Sequence, residues 1–289
     1  MKIKVRKSDY TFVLVDPWTG KIRQDVELAL PSVTHIIEKT LAKPELIEWA
    51  YRRTVDNISG LVDLLWNDER IEHAEDLIKS LRDAEELDDY LTENRLRPSD
   101  VAEDASEAGQ EGHAFLAKLA MAALEADAEA AVALAQRTLK RSGVSGHNVA
   151  IAKWWLSVDP DVVASEKTVV STRHRFAGTL DILRRRDDTY TVTDLKCRSE
   201  DRPCGVEHRT RESAIKCHVV SAYTSDHLQT GGYSIALAEE GLPVSLRTVL
   251  VAKADGTFDE VDSDMPEDLF LNLVELHRNV CDVKGHRTR

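Results

Sequence analysis

Two aspartates that face each other across a hairpin of strands constrain this chain more than any other part of its sequence. The stretch runs from Arg173 to Arg198, RHRFAGTLDILRRRDDTYTVTDLKCR. It reads as two short strands joined by the polar turn Asp187-Asp188. Strand side chains alternate, so Phe176, Leu180 and Ile182 are expected on one face and Ala177, Thr179 and Asp181 on the other. In the second strand Asp194 and Lys196 share a face and Leu195 takes the opposite one. A two-residue turn pairs Arg186 with Thr189, and counting back sets Asp181 against Asp194. Opposed Cβ atoms lie about 5 Å apart, where like charges destabilise the pair. A positive charge belongs between them. Lys196 is one source, and a divalent cation on carboxylate oxygens is another. From the hairpin alone, two structural acids balanced by a lysine explain the pattern as well, since a single DxK triplet often arises by chance.

Around this hairpin the chain changes texture. YTFVLVD reads as a strand, with PWTGK as its turn, and LPSVTHIIEKTL opens a helix with Val33, Ile36, Ile37 and Leu41 as its apolar stripe. From Lys43 to Arg97 the pattern is helical and rich in acid, which predicts an N-terminal β-element and helical subdomain over 1–98 and a core over 99–289. In the long helix that follows, Leu116, Leu119, Ala120, Ala123 and Leu124 take the spacing of a buried face, and His113 lies on the same stripe. A lone histidine there is more often a hydrogen-bonded core residue than a ligand. HNVAIAKWWLSV follows as a helix capped by Ser145 and ended by Asp159-Pro160. DVVASEKTVVST, which carries Glu166, precedes the hairpin as a strand. SDHLQTGGYSIALAEE is a helix entered at Ser225, with Gln229 and Tyr233 on one face and Leu228, Gly232 and Ile235 buried. Gly231 and Gly232 imply close approach by a neighbour or ligand, or a tight helix packing contact. LRTVLVAK, DGTFDEVD and PEDLFLNLVELHRNV complete the chain as two strands and a helix. The fold class expected is α/β (α+β), a mixed central sheet flanked by helices.

Bulk properties narrow the function. The 289 residues carry a net charge of −13, which argues against a surface that is basic all over. Between Arg173 and Lys216, however, eleven Lys and Arg face eight Asp and Glu, so a polyanion held at one place and a solvated mixture of charges are both consistent with the distribution. No apolar run reaches the length of a membrane span, and MKIKVRKSDY lacks the apolar core of a signal peptide, so no membrane partner and a cytoplasmic location are expected. Cys197, Cys204, Cys217 and Cys281 have no close CxxC spacing and read as free thiols.

GQEGH at Gly109–His113, Ser165-Glu166, AGTLD at Ala177–Asp181, DLK at Asp194–Lys196 and QTGGY at Gln229–Tyr233 occur in this order. The set resembles the PD-(D/E)xK nuclease superfamily, in particular its RecB-like branch of phage and CRISPR-associated exonucleases, over roughly residues 105 to 240. The opening LPSVTHIIEKTLAKPELIEWA is similar to the N-terminal segment of phage members. The resemblance implies a restriction-endonuclease-like core and one or two Mg²⁺ or Mn²⁺ ions. It implies metal binding by His113, Asp181, Asp194 and the backbone carbonyl of Leu195, and catalysis by Lys196 with the two aspartates. Glu166 matches an acid at the start of the sheet, and Gln229 and Tyr233 match a helix that contacts DNA and supports the site. With no cysteine before Cys197, the iron-sulfur cluster of some relatives is not expected. The long basic connection holding Arg209 and Arg211 is expected to touch the DNA backbone. The activity implied is exonucleolytic cleavage of DNA, as in phage-type recombination or replication. Partners would then be DNA and a recombination or replication protein, in a host cytoplasm if the chain is phage-encoded. A structure-specific or restriction-like endonuclease and a non-catalytic DNA-binding subunit are the alternatives, and the oligomeric state is left open.

Overall fold

A computed structural model describes residues 2–6, 11–15, 30–41, 89, 92–93, 98–198 and 222–286. The chain divides into two compact units, Met1–Leu41 with Gly109–Arg289, and Ala42–Ala108. Most of the second unit, where the acidic helical pattern falls, lies outside the described residues. The connection holding Arg209 and Arg211 lies outside them too.

The first unit opens on a three-stranded antiparallel sheet of β1 (Lys2–Arg6), β2 (Thr11–Val15) and β3 (Leu30–Pro31). Helix α1 (Val33–Thr40) follows, its N-cap Ser32 accepting from the His35 N–H at 3.0 Å, which satisfies a first-turn donor. Then come α2 (Pro98–Glu125), α3 (Ala128–Lys140) and α4 (Gly146–Val158). Ser145 caps α4 at its start, and Asp159 ends it in the left-handed region at φ 48°, where the following Pro160 prevents continuation.

The central sheet has the order β4-β5-β6-β7-β8. Its strands are β4 (Val162–Ser171), β5 (Phe176–Arg186), β6 (Thr189–Arg198), β7 (Val244–Lys253) and β8 (Phe258–Asp262). All neighbours are antiparallel except β6 and β7. That parallel pair requires a crossover, which contains α5 (Thr224–Glu239); α6 (Glu267–His286) closes the chain. The sheet is mixed and flanked by helices, as its alternating pattern of strands and helices implied. Helix α5 starts one residue before the expected Ser225, where Asp226 Oδ2 accepts from the Tyr223 N–H at 2.9 Å.

Each face of the sheet buries its own core. Val33, Ile36 and Ile37 of α1, Leu228, Ile235 and Leu237 of α5, and Phe270 and Val274 of α6 pack with Val169, Phe176, Leu180, Leu183 and Val192. On the other face Leu116 and Leu119 of α2 and Ile151, Trp154 and Trp155 of α4 pack with Ile182, Leu195 and Leu250. Leu124, expected on the buried stripe of α2, is 42% exposed, although Ala123 beside it still packs partly buried against the core. Gly232 reflects a packing contact, because a Cβ there would sit 3.0 Å from the Phe270 ring and 3.1 Å from Val33. Among the described residues no helix is long and apolar enough to cross a membrane.

Candidate metal centre

The hairpin has the register expected from its turn. Arg186 pairs with Thr189, and the ladder runs back without a shift to Ile182 opposite Thr193, where it ends; the expected pairing of Asp181 with Asp194 makes no bridge. The alternation of β5 does not run through unchanged. Leu180 packs under α5, but Ile182 packs on the α2–α4 face and Leu183 again under α5. The expectation that Leu180 and Ile182 share a face is therefore corrected.

Strand β4 shows the reason. Lys167 pairs with Leu180 and Ser165 with Ile182, but the rung between them, Glu166 with Asp181, makes no bridge. Glu166 has φ 49°, a left-handed conformation that breaks the pleat and that non-glycine residues adopt at a cost. Both strands exchange faces across this one rung. Lys167 reaches Glu240 at the end of α5, 2.8 Å away, and Ala164 also packs on the α5 side. Two carboxylates are thereby released from regular alternation at the same place.

Helix α2 brings the third group. Cys197 Sγ occupies the space where a Cβ on Gly112 would be, so glycine lets α2 approach β6 closely and sets the next residue, His113, beside the rung. His113 Nδ1 lies 3.1 Å from Asp181 Oδ1, while Asp181 Oδ2 accepts from the Leu195 N–H at 2.6 Å. The Leu195 group facing Asp181 is thus its N–H. Ligand atoms of His113, Glu166 and Asp181 all fall within 4.8 Å of one another. Asp181 is buried, His113 half-buried and Glu166 exposed. One imidazole and two carboxylates converging in this way could hold a divalent metal ion.

Asp194 and Lys196 point to the α5 face, where Gln229 ties them together. Lys196 Nζ lies 2.6 Å from Asp194 Oδ2 and donates to Gln229 Oε1 at 3.1 Å. Gln229 Nε2 donates to Asp194 Oδ1 at 2.9 Å and to the Tyr233 hydroxyl at 2.8 Å. Asp194 Oδ2 faces the Lys196 ammonium without an aligned hydrogen bond, and the convergent ligand atoms of His113, Glu166 and Asp181 do not include it. Gly178 makes room for this arrangement, since a Cβ there would lie 2.5 Å from the Tyr233 ring. The glycine of AGTLD was its only sequence signal.

The charges are strongly coupled. Burial works against a charged His113, but its hydrogen bond to Asp181 and the charges of Asp181 and Asp194 outweigh that, raising its pKa above the ordinary 6.5. Burial and then the Asp181 charge raise Glu166. Asp194 is pushed up to about 6 by burial, against the pull of Lys196 and with a further push from Asp181. Lys196 is disfavoured by burial, yet Asp194, Asp226 and Asp181 hold its pKa above the ordinary value. The ammonium therefore stays charged at neutral pH. The thiol of Cys197 is pushed up to about 12, chiefly by burial, which makes it a poor nucleophile.

No family model and no curated protein matches this chain. Among solved structures, the crystal structure of SSO0001 is similar to it at 12% identity and a TM-score of 0.30, over 44% of this chain and 55% of that one. The chain thus spans about half the length of that neighbour. A likeness at this level carries no argument about function.

Proposed function

We propose that this protein is a metal-dependent deoxyribonuclease of the PD-(D/E)xK kind, acting on DNA ends as an exonuclease. The observation that supports it best is the junction of two arrangements. The ligand atoms of His113, Glu166 and Asp181 converge within 4.8 Å, and the neighbouring strand carries Asp194, buried and ion-paired to a half-buried Lys196. A purely structural pair of acids does not require an imidazole, a left-handed glutamate and a half-buried ammonium in one neighbourhood.

His113, Glu166 and Asp181 would hold the cation, while Asp194 is engaged by Lys196 and Gln229. Bound there, a divalent cation polarises a phosphoryl oxygen and lowers the pKa of water. The chain's own groups supply the rest. Lys196, charged and held by Gln229, offsets negative charge that develops on the phosphate. Gln229, itself hydrogen-bonded to Tyr233, restrains both Asp194 and Lys196, so the pair is positioned before substrate arrives. In the reaction a water oxygen bonds to phosphorus and the bond to one strand oxygen breaks. The water's protons pass to solvent and to the departing oxygen, leaving one phosphate end and one hydroxyl end.

Linear DNA labelled at its 5′ or 3′ end, closed circular DNA and single strands should be incubated with Mg²⁺, Mn²⁺ or EDTA, beside the Lys196→Ala variant. Linear DNA is expected to be degraded from its ends only with metal, and at least about a hundredfold more slowly by the variant. Activity that survives EDTA or is equal in the variant defeats the proposal. Cutting of closed circles moves the assignment to an endonuclease.

A further inference from the structure

The row that carries Asp194 and Lys196 continues along β6. Side chains two apart on a strand share a face, so Arg198 follows Lys196 at a spacing of about 7 Å. Its guanidinium is held from two sides. Nη2 donates to Asp226 Oδ2 at 2.9 Å, and the guanidinium carbon lies 4.2 Å from the centroid of the Tyr223 ring. Asp226 is in turn fixed by the Tyr223 N–H. The Arg198 carbonyl accepts from the Ala254 N–H at 3.0 Å and lies 3.1 Å from His147 Nε2.

This side chain is 22% exposed, so part of the guanidinium stays in reach of solvent. Stacking and one ion pair engage the face and one edge of the guanidinium; Nε is buried without a partner. A planar fork fixed in this way loses little entropy on meeting an anion, and it suits phosphate geometry. The step from Lys196 to Arg198 is about that between consecutive phosphates of one nucleic acid strand.

We propose that Arg198 binds the DNA phosphate next to the scissile one and so sets the register of the strand in the site. This rests on the nuclease reading above. The full-length chain should be titrated into a short fluorescein-labelled duplex in Ca²⁺, and binding followed by anisotropy across a range of NaCl concentrations. Arg198→Gln is expected to weaken binding and to reduce the slope of log K against log [NaCl] by about 1, whereas Arg198→Lys keeps the slope. In Mg²⁺, Arg198→Gln is expected to raise KM more than it lowers kcat. A methylphosphonate at the phosphate adjoining the cut is expected to weaken binding by the wild type and to add nothing in Arg198→Gln.

An unchanged slope, or a methylphosphonate penalty equal in both proteins, overturns the proposal and leaves Arg198 as a structural pair. If Arg198→Gln does not fold, wild-type binding decides: indifference to the methylphosphonate overturns the proposal. Metal-dependent cleavage with an unchanged slope removes only the role of Arg198. Absence of both DNA binding and cleavage removes the nuclease reading and this proposal together.

Discussion

Replacing Lys196 by Met removes the ammonium from between Asp194 and Gln229, and the cost can be worked from the geometry. Asp194 titrates at about 6 instead of 3.8 with Lys196 already beside it. Holding its charge at neutral pH therefore costs roughly 3 kcal/mol. Without the ammonium the carboxyl takes up a proton, and full protonation at pH 7 costs roughly 4 kcal/mol relative to the unfolded chain. The loss through Asp194 is thus capped at about 1 kcal/mol more. Lys196 is opposed by burial but stabilised by Asp194, Asp226 and Asp181. Losing that net attraction, and leaving Gln229 Oε1 without its donor, brings the total to about 2–4 kcal/mol.

The pH dependence follows from the sign of the shift. A carboxyl whose folded pKa exceeds its unfolded one leaves the folded state with more protons, so stability falls as pH rises. In the wild type this fall ends near pH 6, where Asp194 titrates; in Lys196→Met it continues above that. Urea denaturation in EDTA, at about pH 5 and about pH 7, should show the variant losing about 1 kcal/mol more at the higher pH. Asp194→Asn combined with Lys196→Met should recover part of the loss, because no buried charge is then left unpaired. A loss equal at both pH values, or none, would refute the coupling of the two residues.

Gly178→Ala drives a methyl group to within 2.5 Å of the Tyr233 ring, with an expected cost of about 1–3 kcal/mol. Cleavage should fall in parallel, since Tyr233 holds Gln229; wild-type melting and activity would show that the ring has free room to move. Mn²⁺ affinity measured by calorimetry should rise with pH as His113 loses its proton above its ordinary 6.5, with proton release visible as a buffer-dependent heat. His113→Asn and Glu166→Gln should each weaken Mn²⁺ at least about tenfold. A flat affinity across this range places the ion elsewhere.

Much of the hairpin was legible because its determinants are local. The Asp187-Asp188 turn specifies the register, and period-two alternation puts Asp194 and Lys196 on one face with Leu195 on the other. The i, i+4 spacing of Gln229 and Tyr233 likewise gives them one face of α5. These are properties of single strands, helices and turns, which a few consecutive residues decide.

The position of Glu166 depended on tertiary structure. Its left-handed backbone makes both strands exchange faces at the Glu166–Asp181 rung, and that is why Ile182 lies opposite the side its alternation implied. No pattern in SEKTVV announces this, because such a conformation persists only where surrounding packing imposes it. His113 reaches Asp181 across 68 residues of sequence, through a contact that the absence of a Cβ at Gly112 permits. The hold of Tyr223 and Asp226 on Arg198 likewise joins a strand end to a helix start. The sequence by itself determined the strands, the turn and which charges travel together. Only the tertiary structure decided which of those charges meet, because that depends on how closely two helices can approach one sheet.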